Sequence, residues 1–286
     1  MSLSAAADRA GALGLVAGRG RLPFAVAAAA RARGRRVVAI GFHGETDPRL
    51  ATAVDTLTWL HLGELEALIV ALRAGGASEA VMVGKVAKTN LFGDHARLRP
   101  DARALALLAG LRERNDDSIL RALADALAAE GVPLRPQAEL VPDLVAGEGV
   151  LGAVAPSESQ RAEIAFGFPI AKALGAVDVG QTVVVRERAV LALEAIEGTD
   201  EAIRRGAALG GPGVVVVKVA KPGQDPRFDV PAVGPDTLDA MIEGKAAVLA
   251  VEAGRSFLLE RSEVVRRADA HGIALVGVRE GRGGAT

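Results

Sequence analysis

Apolar positions along this chain fall into two rhythms. Short unbroken runs, "ALGLVAG", "RRVVAIGF" and "AVMVGKV", each carry a glycine at or near their end and read as buried strands. Between them, "PFAVAAAARARG" and "GELEALIVALRAGG" space their apolar residues as helices that stop at glycine. Strand, helix, strand, helix, strand predicts a parallel sheet covered by helices. Two further helices are expected in "DARALALLAGLRER" and "DDSILRALADALAAEG", the second opened by Asn115, Asp116 and Asp117, which suit a cap and a first turn.

The rhythm fails between Gly131 and Gly149, in "GVPLRPQAELVPDLVAGEG", where prolines and glycines replace any period. The expected organisation is therefore an N-terminal domain over 1–135, a linker over 136–148 and a C-terminal domain over 149–286. Ser157 and Gln160 form a capping-box pattern for a helix running toward Leu174. "TVVVRERAVLALEAIEG" predicts two strands around a tight turn, and "TDEAIRRGAALG" a helix with Thr199 as its cap. A valine strand and a charged turn follow. Then come a helix in "PDTLDAMIEG", a strand in "AAVLAVEAG", a helix in "SEVVRRADAHG" and a last strand in "IALVGV". The C-terminal "REGRGGAT" reads as a frayed tail. The fold class expected is α/β in two domains, a Rossmann-like parallel sheet with helices followed by an α/β domain with a mixed sheet.

Composition narrows the function. Half of the 286 residues are hydrophobic, yet seven Phe, one Trp and no Tyr leave the core to Ala, Val and Leu. Thirty-four Lys plus Arg against 35 Asp plus Glu give a net charge of −1, which argues against a dedicated nucleic-acid binder. With no cysteine, disulfides, thiolate metal sites and a Cys nucleophile are excluded. The N-terminal "MSLSAAADRAGALGLVAG" lacks the pattern of a signal peptide. No window offers the ~18 apolar residues of a membrane span. A soluble cytoplasmic protein is the expectation.

Several motifs bear on chemistry. Gly18 and Gly20, in "AGRGRLP", sit where a strand meets a helix, a position that suits either a phosphate contact or a plain turn. Pro23 replaces the third glycine of a dinucleotide fingerprint, and Glu45 is only a loose match to its ribose-binding acid. "GAVDVGQT" spaces Gly175 and Gly180 as in a P-loop but has Gln181 for the lysine, and Lys85 lacks a following Ser or Thr. Lys85 and Lys88, with Thr89 and Asn90, still stand at the end of a predicted parallel strand, where ligands of open α/β sheets bind. The four histidines are scattered, and no G-x-S-x-G elbow is present.

The carboxylates are more telling. Glu194, Glu197, Asp200 and Glu201 surround one turn, and helix capping accounts for Thr199, Asp200 and Glu201 but not for Glu194. In "VVVVKVAKPGQDPRFDVPAVG", Lys218 interrupts a run of valines, so an apparently buried strand carries an ammonium group. A buried charge is costly unless it is paired or faces a polar site. Asp225 and Asp229 stand four apart in the turn that follows. Hard cations such as Mg²⁺ take one or two carboxylates plus phosphate oxygens, and neighbouring Lys and Arg stabilise charge on a phosphoryl group. A salt-bridged surface turn is the plain alternative. On spacing and composition alone, the chain is an α/β protein that handles something phosphorylated.

"KPGQDPRFDVPAVG" resembles the signature of the cytoplasmic UDP-2,3-diacylglucosamine diphosphatases of lipid A biosynthesis, the family unrelated to the calcineurin-like metallophosphoesterases. Supporting stretches run along most of the chain: "GLVAGRGRLP", "GKVAKTNL", "NDDSIL", "AKALGAVDVGQTVVV", "LEAIEGTDEAI" and "VEAGRSFLLER". The resemblance implies hydrolysis of UDP-2,3-diacylglucosamine to UMP and 2,3-diacylglucosamine 1-phosphate. Water would attack the α-phosphorus with the help of Mg²⁺ or another divalent cation such as Mn²⁺. It also implies a lipid-linked nucleotide sugar as partner and transient contact with the cytoplasmic face of the inner membrane.

Residue roles follow from the same resemblance. Asp225 is the first choice for the metal-binding or water-orienting carboxylate, with Asp229 and Glu194 as second ligands. Lys218, Lys221, Gln224 and Arg227 would meet the pyrophosphate. Gly18, Arg19, Gly20, Lys85, Asn115 and Asp116 would be substrate contacts, joined by Gln181 and Thr199. Three rival readings stand beside this one: a hydrolase of a soluble nucleotide sugar, a non-catalytic regulator that binds a nucleotide sugar, and an NAD-dependent oxidoreductase. The incomplete glycine motif speaks against the last.

Overall fold

A computed structural model describes residues 11–86, 98–112 and 116–280, the side chains of 116 and 117 excepted. It divides into two compact units. The first lies within residues 1–141 and includes Pro226–Asp229, and the second comprises Pro142–Asp225 and the chain from Val230 onward.

The first unit is built on a four-stranded, wholly parallel sheet in the order β3-β2-β1-β4. Its strands are β1 (Ala12–Ala17), β2 (Val37–Phe42), β3 (Thr56–Leu60) and β4 (Ala77–Val83). Every residue of β1 and β2 is buried, as expected of parallel strands covered on both faces. Helices Leu22–Ala32 and Leu65–Ala74 supply the covering layers, and Leu72, Ile69, Ile40 and Leu13 are sealed from solvent. The Asp101 carboxylate caps helix Ala102–Ala109 by accepting from Ala104 N–H at 2.8 Å. Phe228, 3% exposed, completes this unit's core from far along the chain. The Pro226 carbonyl beside it accepts from Gln137 N–H.

The second unit carries a six-stranded mixed sheet in the order β5-β12-β10-β8-β6-β7. β8 (Val215–Lys218), β10 (Val248–Glu252) and β12 (Ala274–Val278) are mutually parallel. β5 (Gly149–Val150), β6 (Thr182–Arg186) and β7 (Ala189–Leu193) pair antiparallel. The β6–β7 connection is a two-residue hairpin, with Glu187 and Arg188 both in the left-handed region (φ 52° and 57°). Such turns match the twist of the strands they join. Helix Glu158–Ala176 packs on β6 and β8. It starts at the expected capping box: Ser157 Oγ accepts from Gln160 N–H and Gln160 Oε1 from Ser157 N–H. A separate parallel pair joins β9 (Ala232–Val233) to β11 (Phe257–Leu258).

This topology has one consequence for chemistry. β8 and β10 end on the same edge of the sheet, where β6 begins and β7 stops. Gln181, Glu194, Lys218 and Glu252 therefore collect along one edge. Among the described residues, no helix is long and apolar enough to cross a membrane.

Candidate active site

The centre of that edge is Lys218, the last residue of β8 and only 5% exposed. Its Nζ donates to Thr199 Oγ1 at 2.6 Å, and the Thr199 hydroxyl donates to Glu194 Oε1 at 2.8 Å. Glu194 Oε2 accepts from Gln181 N–H at 3.2 Å. Burial pushes the Glu194 carboxyl up. The Lys218 ammonium, with the hydrogen bonds from Thr199 and the Gln181 backbone, outweighs it and holds the group below its ordinary value. The ammonium in the valine strand thus has a counter-charge one hydroxyl away. Thr199 is not the helix cap that its sequence suggests. Gly198, at φ 86°, occupies that position, and the Thr199 hydroxyl is turned to Glu194. Glycine adopts this backbone without strain, which frees the threonine side chain for the network.

Two other acids of that turn serve the surface. Glu197 pairs with Arg205 and Glu201 with Arg204, each at 2.6 Å. Glu194 is the one that sequence capping rules left unexplained, and it is the one paired with the buried lysine.

Beyond Lys218 the chain leaves the sheet as a loop with closely held ends. Val219 N–H donates to the Gln181 carbonyl at 3.0 Å. Lys221 Nζ meets Asp178, and Lys221 N–H donates to Gln224 Oε1 at 3.0 Å. Asp225 follows directly and closes this unit's share of the loop, while Arg227 and Asp229 belong to the first unit. There the Arg227 guanidinium lies over the Phe228 ring, 5.7 Å from its centroid, and Asp229 adopts a left-handed backbone with φ 56°. Gln181 Oε1 is buried without a hydrogen-bond partner among the described residues.

The first unit gathers its own set at the carboxyl ends of β1 and β4. Arg19 and Lys85 exchange backbone hydrogen bonds at 2.7 and 3.1 Å, which brings two sequence-distant candidates side by side. Glycines make this junction possible. A Cβ on Gly18 would lie 2.6 Å from the Lys85 carbonyl oxygen, and one on Gly84 would lie 2.7 Å from that of Arg19. Arg19 reaches Glu45 at 2.6 Å and the Gly44 carbonyl at 2.9 Å, and the Glu45 side chain is 1% exposed. Glu45 therefore answers a guanidinium. Gly20 has φ 97° and open space around it, and Lys85 is exposed. Asn115, Lys88, Thr89, Asn90 and the Asp116 side chain lie outside the described residues.

Among the described residues no three His, Asp or Glu side chains converge as a metal cage. A cation held by one carboxylate and substrate phosphate oxygens needs no such cage. Both oxygens of Glu194 already accept hydrogen bonds, and its charge faces Lys218.

Sequence reasoning missed Lys172, Glu252 and Arg255. Glu252 ends β10 and is 3% exposed. Lys172 Nζ donates to Glu252 Oε2 at 3.0 Å, and Arg255 reaches Glu252 Oε1 at 3.5 Å. No local signal marks the lysine and glutamate as partners, because they lie 80 residues apart.

One α/β unit presents an Arg-Lys pair on glycine-shaped strand ends, and the other a buried lysine followed by a loop of mixed charge. Comparison with known proteins gives the family. Residues 12–144 match the model of the LpxI N-terminal domain, and residues 147–276 match that of the LpxI C-terminal domain. The chain is also 33% identical over 277 residues to the UDP-2,3-diacylglucosamine pyrophosphatase LpxI of Caulobacter vibrioides, covering 93% of this chain and 97% of that one. This chain belongs to the LpxI family.

Proposed function

We propose that this protein hydrolyses the pyrophosphate of UDP-2,3-diacylglucosamine to UMP and 2,3-diacylglucosamine 1-phosphate, a step of lipid A biosynthesis. The observation that carries the reading is the sheet edge of the second unit, where Lys218 is buried beside Glu194 and the loop to Asp225 begins. Family membership over nearly the whole chain supplies the substrate class.

In this reading the Asp225 carboxylate orients a water and accepts its proton as the oxygen bonds to the α-phosphorus. The bond from that phosphorus to the bridging oxygen breaks in line, and the electron pair leaves with the sugar 1-phosphate. Lys218 and Lys221 answer the charge that grows on the phosphoryl oxygens, an effect strongest where water is excluded. Gln224 fixes the loop at Lys221 N–H, and Gln181 Oε1 is an acceptor ready for a substrate donor. Thr199 and Glu194 hold the Lys218 ammonium in place, so we assign Glu194 to that lysine. Mg²⁺, or Mn²⁺, would be held by Asp225, with Asp229 as the second candidate, and would supply charge neutralisation and a more acidic water. Arg19 and Lys85 are the first unit's candidate phosphate contacts, with Gly18 and Gly20 shaping the backbone around them, and Arg227 is a further cation of that unit.

Hydrolysis in ¹⁸O-labelled water tests both the reaction and its direction. The label should appear in UMP and be absent from the lipid phosphate. Label in the sugar 1-phosphate would place attack on the other phosphorus, and absence of cleavage would remove the reading.

A further inference from the structure

The loop between Lys218 and Asp225 leaves the sheet early. β8 pairs with β10 only as far as Lys218 opposite Val251; Val219 N–H still reaches the Gln181 carbonyl at 3.0 Å, and the peptide groups of Ala220 lie beyond the paired register. Buried peptide groups need partners. At Ala220, 1% exposed, side chains provide them. Ala220 N–H donates to Glu252 Oε2 at 2.8 Å, and its carbonyl accepts from Lys172 Nζ at 2.9 Å. Lys172 Nζ also lies 3.2 and 3.0 Å from the two Glu252 oxygens, so one ion pair grips both faces of one peptide residue. Arg255 extends the grip by donating from Nη2 to the Lys221 carbonyl at 3.2 Å. Helix Glu158–Ala176, which carries Lys172, comes close enough that a Cβ on Gly175 would sit 3.2 Å from Lys221 Cα.

We infer that Lys172 and Glu252 are positioning residues for Asp225, a buried ion pair that fixes the backbone at Ala220 and Lys221 and so aims the carboxylate a few residues on. The inference rests on the reading of Asp225 as the carboxylate that orients water. Stability alone gives little reason for the pair. Exchanging a buried ion pair for apolar side chains of similar volume is often neutral or stabilising. Leu and Met at these positions would fill the space but leave Ala220 N–H and C=O ungripped. Their freedom would pass along the loop to Asp225. The pair also sums to zero charge, so it orders the loop without adding net charge of its own near a pyrophosphate.

The decisive variant is the double change Lys172→Met with Glu252→Leu, compared with wild type, Lys172→Met alone and Lys172→Arg. The single Lys172→Met change strands the glutamate and should lower both Tm and kcat. The double change should recover Tm while kcat for UDP-2,3-diacylglucosamine stays down by about 10²-fold, the usual effect of a misplaced catalytic group. KM should move less than kcat, because Lys218 stays anchored through Thr199 to Glu194 while the freedom introduced at Lys221 and beyond falls chiefly on Asp225. Ala220 and Lys221 amides should exchange at least about tenfold faster in the double variant, with β10 and β12 amides unchanged. Lys172→Arg, which keeps the charge and several donors, should retain more kcat than Lys172→Met. If the double variant does not recover Tm, the greater kcat of Lys172→Arg at equal folded fraction carries the test. A double variant with wild-type kcat, or with Ala220 still protected, overturns the positioning role. A wild type that releases no UMP overturns the assignment of Asp225, and the positioning role with it.

Discussion

The two strand-end clusters place lysine and arginine by different means. At the carboxyl ends of β1 and β4, the backbone makes the arrangement. Arg19 and Lys85 exchange main-chain hydrogen bonds across a junction that only glycine at 18 and 84 permits, and Lys85 stays in water. At the end of β8, side chains make it. Lys218 is buried and held through Thr199 to Glu194, and the loop beyond is gripped by Lys172 and Glu252. An exposed cation on a rigid junction recruits an anion and costs little to keep. A buried cation is costly to keep, and the carboxylate beside it, held below its ordinary value, is the counter-charge that offsets that cost.

Lys218→Met should have the largest effect and tests the contrast most severely. It strands the Glu194 carboxylate, so stability should fall by about 3 kcal/mol. Turnover should fall by about 10²–10³-fold, read by steady-state kinetics beside a thermal melt. Wild-type turnover in a folded Lys218→Met protein would show that the buried cation is structural.

Gly18→Ala comes next. The new methyl meets a carbonyl oxygen with no flexible end, so a loss of about 2 kcal/mol is expected by chemical denaturation. An unperturbed Gly18→Ala protein would break the claim that the first cluster is built from backbone. Arg19→Ala removes the guanidinium from a nearly sealed Glu45 carboxylate, with about 1–3 kcal/mol expected. A melt unchanged by Arg19→Ala would show that Glu45 does not depend on it.

Acid unfolding sharpens the comparison further. Glu194 has its carboxyl depressed in the folded state. Its contribution to stability is therefore fully present above the unfolded-chain value and is lost as pH falls through the lower folded one. Glu194→Gln should flatten that part of the stability–pH curve. A curve identical to wild type would remove Lys218 as the partner of Glu194. Lys85→Ala should have the smallest effect. Stability should stay within about 0.5 kcal/mol, with KM raised a few-fold and kcat nearly unchanged. A large kcat loss would make the two clusters alike.

Much of this is legible in the sequence. The valine strand, the hairpin after "TVVV" and the Ser157 capping box carry local signals, and each appears where the pattern places it. β3 was not readable. Thr56–Leu60 is an edge strand whose threonines face solvent, so its residues lack the apolar run that marked its neighbours. Thr199 looked like a cap because a threonine before two acids usually is one. Gly198 displaced it, and only the fold reveals the partner across the turn. The oddity of Lys218 could be seen in one strand, whereas Lys172 and Glu252 each look ordinary in place. Pairings across 80 residues leave no local trace.

The central claim is that the loop after β8 presents a catalytic carboxylate to a pyrophosphate. The most direct measurement is Mg²⁺-dependent UMP release from UDP-2,3-diacylglucosamine by wild type and by Asp225→Ala, with substrate binding measured on both. Wild type should turn over strongly, and the variant should lose turnover while still binding substrate. Turnover that survives in Asp225→Ala would place the catalytic carboxylate elsewhere.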